Sequence, residues 1–370
     1  MDSIENCAQS FFSRKGFLWE KNQNVVSSND KLLYNISGGV CFEEAIEGKK
    51  VLNTPYLASI QTCLRTDSLN KIGISGRHHI AFDMLGHFCI YGLSERKTKE
   101  LLIQSAYDFL ISEIKLAPER IRATVHPSDL VSLAIWKSLD VTNITMLRDN
   151  ITVTPSNNRS GFRTEILWNQ SGEVYIELWN IVFTQFNNNQ LLGNSMPLIA
   201  GDSGASLDRL LTASEDLSND YHNSYWRQPI ECLKSNIAIC ESNCLFKLLD
   251  CIKAIITLNS NGITPSNKAA GYILRKIIRE AYTAAKSLRI DLPTCMDICE
   301  NAWIKKSISS LSMLKVEIER FDCCLSRGER ECQKILKRNN GTLTQKDILF
   351  LQNTFGYPSE LALAQQSLRR

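Results

Sequence analysis

The stretches Gln61-Thr62-Cys63-Leu64-Arg65 and Gly76-Arg77-His78-His79-Ile80-Ala81-Phe82-Asp83-Met84-Leu85-Gly86-His87-Phe88 decide the reading of this chain. They lie in a strand-like region, residues 31–92, punctuated by glycines at Gly38-Gly39 and between Gly73 and Gly76. In an alternating strand one of the two adjacent histidines faces the core, so His79 reads either as a satisfied structural histidine or as a ligand.

Working outward, residues 3–16 carry Ile4, Ala8, Phe11 and Phe12 near helical spacing, and residues 98–116 return to that period. Residues 121–125, 165–168 and 174–181 read as strands, and the Asn/Ser-rich residues 154–160 read as loop. Residues 217–225 are polar and turn-prone and mark a candidate boundary. Beyond it the pattern is helical over residues 244–258, 268–288, 296–327 and 344–353. The expectation is an α+β protein: a domain of antiparallel strands and helices over residues 1–222, then an all-helical domain over residues 223–370.

At 370 residues, with 44% apolar and 22% charged side chains, the chain has room for two cores of ordinary globular composition. Its net charge of +3 is unevenly spread. The last hundred residues hold 17 Lys and Arg against 11 Asp and Glu, a net of +6, while the first 270 carry a net of −3. A basic second half suits a polyanion, although solvated helix faces give the same count. The N-terminal residues lack a signal-peptide pattern, and no run approaches the roughly 20 apolar residues of a bilayer span. Nine of the 13 cysteines follow Pro229, mostly beside Leu and Ile in helical segments. They read as small core residues with reduced thiols in a cytoplasmic protein, without the paired spacing of a zinc site.

Four blocks, in order, resemble the alanyl-tRNA synthetase family. The first is Asn29-Asp30-Lys31-Leu32-Leu33-Tyr34, followed by Gly38 and Phe42; the second is the pair of strings quoted at the outset. The third is Tyr175-Ile176-Glu177-Leu178-Trp179-Asn180-Ile181-Val182-Phe183-Thr184-Gln185-Phe186-Asn187, leading to Asp202-Ser203-Gly204-Ala205-Ser206-Leu207-Asp208-Arg209. The fourth is Thr264-Pro265-Ser266-Asn267, then Gly271-Tyr272-Ile273-Leu274-Arg275-Lys276-Ile277-Ile278-Arg279-Glu280-Ala281. Thr354-Phe355-Gly356-Tyr357-Pro358 closes the likeness.

The resemblance implies a class II synthetase antiparallel sheet flanked by helices, followed by a helical tRNA-recognition-like domain. It implies a monomeric, free-standing aminoacylation module, because the editing and C-terminal domains that follow in the family have no counterpart here. The substrates implied are ATP with Mg²⁺ and alanine or a related amino acid. The acyl acceptor is a tRNA acceptor stem or, in a specialised relative, a small molecule. A non-catalytic RNA-binding or regulatory protein is a third possibility, since fold alone does not fix function.

Residue roles follow from the matching strings. Arg65 would hold the α-phosphate and the amino-acid carboxylate, while Arg77 and Arg209 would clamp the outer phosphates with planar guanidinium groups. Phe88 would lie against adenine, with Gly204 in the same ATP-binding site. Asp202 would pair with the substrate ammonium and Asn180 would orient the amino acid. On the helical side, Asn267 is the candidate base reader, and Arg275 and Arg279 form a basic row suited to RNA phosphates.

The departures from the family concern the substrate. Thr66-Asp67-Ser68-Leu69-Asn70-Lys71 is shorter than the family loop, and its lysine is lost unless Lys71 stands in. The tryptophan that walls the family's alanine pocket falls on Thr152, and the G-P-C-G-P-C run falls on Asn158 to Arg163. A hydroxyl in place of a large apolar wall predicts a wider or more polar amino-acid pocket. Ala205-Ser206 replaces Met-Gly, and Asp208 replaces Glu. Gly341-Thr342-Leu343-Thr344 replaces an acidic stretch near the family's base-pair-reading site, and Lys268-Ala269-Ala270 lacks an arginine before Gly271. The first of these changes, loss of an acceptor for the guanine amino group, predicts relaxed specificity for that base pair.

Overall fold

The computed structural model describes residues 2–26, 32–154, 159–171, 174–187, 195–236, 242–304 and 311–367. Residues 29–31 of the first block and 155–158 of the Asn/Ser-rich stretch lie outside that set.

In chain order the elements are α1 (Asp2–Arg14), β1 (Leu18–Glu20), a 3-10 turn (Gly38–Phe42), α2 (Glu43–Ile46), β2 (Tyr56–Leu64), β3 (Ala81–Leu93) and α3 (Glu95–Ser112). Then come β4 (Ile121–Val125), α4 (Leu130–Ser138), β5 (Ile144–Met146), β6 (Ile151–Thr154), β7 (Arg159–Ser171), β8 (Val174–Thr184), β9 (Ile199–Ser206) and α5 (Leu207–Ser214). The remainder is helical: α6 (Ser224–Asn236), α7 (Asn243–Ser260), α8 (Ala269–Leu288), α9 (Leu292–Ile304), α10 (Leu311–Arg338), α11 (Gln345–Phe355) and α12 (Ser359–Ser367). The fold is α+β. The helical run read over residues 296–327 falls in α9 and α10, and residues 305–310 lie outside the described set. Arg159 and Ser160, read as loop, begin β7, because Ser160 pairs backbone to backbone with Phe186.

The chain divides into two compact units. The first comprises Met1–Asp67 and Ala81–Arg227; the second comprises Ser68–Ile80 and Gln228–Arg370. The segment that joins β2 to β3 thus belongs to the helical unit.

In the first unit the strands run in the order β1-β2-β3-β9-β8-β7-β4-β5, with β6 paired to β7. β1 with β2 and β4 with β5 are parallel pairs; the others are antiparallel. Side chains on a strand alternate between faces, and this alternation divides the sheet chemically. One face carries Ala58, Ile60, Leu85, Cys89, Ala123, Ile166, Ile181, Phe183 and Ala205. These residues pack under Phe11 and Phe12 of α1 and Leu102, Ala106 and Phe109 of α3, forming the main core. The other face is polar and is described below.

In the second unit α7 is the central element. Leu245, Leu248, Leu249, Ile252, Ala254, Ile255 and Leu258 are buried around its whole circumference, as its nearly continuous apolar sequence requires. The amphipathic α8 presents Leu274, Ile277, Ile278 and Ala281 inward. Phe321, Leu325, Leu336, Leu351 and Tyr357 close a second cluster among α10, α11 and α12. Cys251, Cys295, Cys299 and Cys332 are buried in the helices, the small core residues that the sequence suggests.

Candidate active site

Registers across the sheet of the first unit place the candidate residues on a grid. Arg163 lies opposite Val182, which lies opposite Asp202. In the next row Thr124 lies opposite Glu165, Glu165 opposite Asn180, and Asn180 opposite Gly204. Alternation sets all of these on the face turned away from the main core. Met84 joins them from β3, since a Cβ on Gly204 would meet its sulfur at 2.7 Å. Phe82 and Gln61 follow by the β2–β3 register. Thr152 pairs with Gly161, two residues before Arg163 on β7, and so shares this side.

Among the carboxylates of the face Asp202 is the most perturbed. Burial pushes its carboxyl up to about 7, and no side chain among the described residues donates to it. The backbone of Gly39 lies directly against it, where any Cβ would overlap the carboxylate. Asn180 is its neighbour in the adjacent row, and the Asn180 Oδ1 is buried without a hydrogen-bond partner. A buried acceptor left unmet costs stability, so two acceptors side by side form a place for a donor such as an ammonium group. Glu165 accepts from Thr124 at 3.2 Å, and burial with the nearby Glu177 raises its carboxyl above the usual range.

The cations are arranged differently from one another. Arg65, just after β2, is exposed; its Nε donates to the Ile36 carbonyl at 2.8 Å and its guanidinium stands 5.1 Å over the Phe82 ring. Arg209, in the first turn of α5, donates to the Glu177 carbonyl at 2.9 Å and lies 3.6 Å from the Glu177 carboxylate. The register shifts between Ile166 and Leu167, making Leu178 an extra residue on β8. Such a bulge re-aims its neighbours and accounts for Glu177 meeting Arg209.

Phe88 is fully enclosed, packed on Phe42 with ring centroids 4.7 Å apart and in a cluster with Ala45, Leu57 and Ile90. Phe82 is the aromatic ring beside Arg65, a residue the sequence reading passed over. Only the register, not the motif string, separates the two phenylalanines. His87, also unremarked, is buried on the core side, where Nε2 lies 2.9 Å from the Leu102 carbonyl and Nδ1 lies 2.6 Å from Ser203 Oγ. Desolvation lowers its pKa to about 4, so the ring is neutral, donates from Nε2 and accepts from Ser203. Enclosed by Phe12, Phe17 and Trp179, this Ser–His pair is a structural contact.

The remaining candidates belong to the second unit. Arg77 follows Gly76, whose φ of +70° suits glycine, and its Nε is buried without a hydrogen-bond partner. His79 is structural: its Nδ1 lies 2.6 Å from Asp250 Oδ2 on α7, and the Ile80 amide donates to Asp250 Oδ1 at 2.7 Å. Lys71 is exposed at the end of a 3-10 turn, Leu69–Lys71. Arg275 and Arg279 both turn to Glu317 on α10, at 3.0 and 2.9 Å, and Arg275 also donates to Asn267 Oδ1. Asn267 itself is exposed. Among the described residues no group of three or more His, Cys, Asp or Glu side chains is arranged to hold a metal ion, and no helix is long and apolar enough to cross a membrane.

Comparison with known proteins follows the same chain boundaries. The family described as tRNA synthetases class II (A) matches residues 8–366. An alanine–tRNA ligase of Bacillus velezensis is 29% identical over 95% of this chain and 44% of its own length. One from Staphylococcus aureus is 27% identical over the same shares. The chain therefore spans less than half the length of these curated relatives. Among solved structures, an apo histidyl-tRNA synthetase of S. aureus aligns over 64% of this chain and 76% of its own, with 12% identity and a TM-score of 0.41.

Proposed function

Since this chain belongs to the class II tRNA synthetases of the alanyl-tRNA synthetase family, we propose that its first unit activates an amino acid with ATP and that the activated acyl group passes to tRNA. The substrate carboxylate attacks the α-phosphorus of ATP, the bond to pyrophosphate breaks, and an aminoacyl-adenylate forms. An acceptor hydroxyl then attacks the acyl carbon and AMP leaves.

The observation that carries this reading is the Asp202 carboxylate, to which no side chain among the described residues donates, beside the unmet Asn180 Oδ1 on one sheet face. Together they fit an α-ammonium and leave the substrate carboxylate free to react. Arg65 is exposed and fits the α-phosphate, where charge gathers in the transition state. Phe82, itself buried but directly under that guanidinium, is the ring beside the phosphate site to meet adenine, whereas Phe88 packs on Phe42. Arg209 fits the outer phosphates, on exchanging its Glu177 contacts for stronger bidentate ones. Mg²⁺ would enter on the ATP phosphates, neutralising their charge, and Glu177 beside Arg209 is the carboxylate placed to face it.

A second acceptor is favoured by one specific observation. Glu317 pairs with both Arg275 and Arg279 and offsets one of their two charges, which weakens the row of cations that would otherwise meet RNA phosphates. In this reading the acyl group passes to a small molecule.

Amino-acid-dependent ATP–pyrophosphate exchange, run across an amino-acid panel and followed by charging of tRNA, tests both. We expect exchange, and a loss of about 100-fold or more in Arg65→Ala, the scale of losing one preorganised charge contact. Unchanged exchange in that variant removes the assignment. Exchange without tRNA charging selects the small-molecule acceptor, and no exchange with any amino acid indicates a non-catalytic role.

A further inference from the structure

Arg163 is a cation of the polar face that the proposed reaction does not use. It stands on β7 in the same row as Asp202, with only Val182 between them. Its Nε is buried and makes no hydrogen bond; the nearest carboxylate oxygen, on Glu165, lies at 3.6 Å, beyond hydrogen-bond reach. The rest of the guanidinium is partly exposed, at 34% for the side chain, so it is open to a ligand, and a ligand oxygen would satisfy the buried Nε–H that is otherwise left unmet.

Geometry gives the direction of that ligand. Strands lie about 4.8 Å apart, so the Arg163 and Asp202 backbones are separated by about 10 Å. A substrate held at its ammonium by Asp202 and Asn180 reaches Arg163 with its side chain by crossing Val182. A methyl group does not make that crossing; a longer side chain does. Met84 lies over Gly204 on one flank of the path, and Thr152, opposite Gly161, adds a hydroxyl at its far end.

Building on the reading of this unit as an amino-acid-activating site, we infer that Arg163 selects an amino acid whose side chain ends in an acceptor oxygen, a carboxylate or a carboxamide. Glu165, on the same face and two residues along β7, narrows the choice between them: a carboxamide offers it a donor, whereas a carboxylate is repelled.

The test uses the full chain in pyrophosphate exchange with alanine, serine, valine, aspartate, glutamate, asparagine and glutamine. At least one of the last four should exceed alanine by tenfold or more in kcat/KM. Arg163→Ala should cut that advantage by about 30-fold, the scale of a charge-assisted hydrogen bond, through the amino-acid KM with the ATP KM unchanged. Arg163→Lys should restore part of it. Preference for the amides over the acids would assign the carboxamide. A preference for alanine, or a discrimination that Arg163→Ala leaves intact, overturns the inference.

If no amino acid supports exchange, binding still decides. Thermal shifts with the sulfamoyl-adenosine analogues of the same amino acids then separate the two claims. Stabilisation by an acceptor-bearing side chain that is lost in Arg163→Ala keeps the specificity and discards the catalysis. Equal shifts for all analogues, or none, discard the specificity.

Discussion

At the scale of single residues, Asp202 has the most to say about pH. Its carboxyl lies against the Gly39 backbone and burial raises it to about 7. The folded state therefore binds this proton more tightly than the unfolded state. Its contribution to stability is complete below the ordinary carboxylate range and is lost as pH rises through about 7. Asp202→Asn should consequently match the native chain in urea unfolding near pH 4 and exceed it by about 4 kcal/mol at pH 8. An ammonium ligand has the opposite preference, because it needs the ionised form. Below pH 7 the amino-acid KM should rise by about tenfold per unit while the ATP KM stays level. A flat amino-acid KM between pH 8 and pH 6 would remove Asp202 from the ammonium site.

At the scale of elements, the join between α8 and α10 shows what a sequence discloses and what it withholds. The apolar stripe Leu274, Ile277, Ile278 and Ala281 was legible from spacing, and so was the placing of Arg275 and Arg279 together. Their partner was not: Glu317 is separated from them by 42 and 38 residues and is 2% exposed. Nothing in the helix itself announces a counter-charge buried on another helix. The same holds for His79, whose role is set by Asp250, 171 residues away. Strand strings fared better, because alternation plus register assigns Asp202, Asn180 and Gly204 to one face. Register alone tells Phe82 from Phe88, and a motif carries no register. Glu317→Gln tests the join. Taking the anion from two arginines should cost about 2 kcal/mol in urea unfolding, discounted for the partial exposure of Arg279. If the arginines are thereby released to phosphates, RNA affinity should rise in the same variant. Unchanged stability would mean that the trio contributes nothing.

At the scale of the whole molecule, the organisation differs from a simple succession of domains. Ser68–Ile80 interrupts the first unit in sequence yet belongs to the second. The attachment is close: a Cβ on Gly73, at φ +75°, would meet the Asn243 carbonyl, and His79 with the Ile80 amide serves the buried Asp250. Asp250 sits midway along α7, the helix around which the second unit is built. Residues 228–370 expressed alone would keep α7 but take two donors, His79 and the Ile80 amide, from Asp250. Losing two hydrogen bonds to a buried carboxylate costs about 3–5 kcal/mol. For a unit of this size that lowers the melting temperature by on the order of 10 °C relative to a fragment in which residues 68–80 are fused back. Asp250→Leu then gives opposite signs in the two settings. In the bare fragment it removes a buried carboxylate that has lost two donors and should raise the melting temperature. In the full chain it abandons the His79 and Ile80 contacts and should lower it. Equal effects in both would show that the second unit does not depend on the borrowed segment.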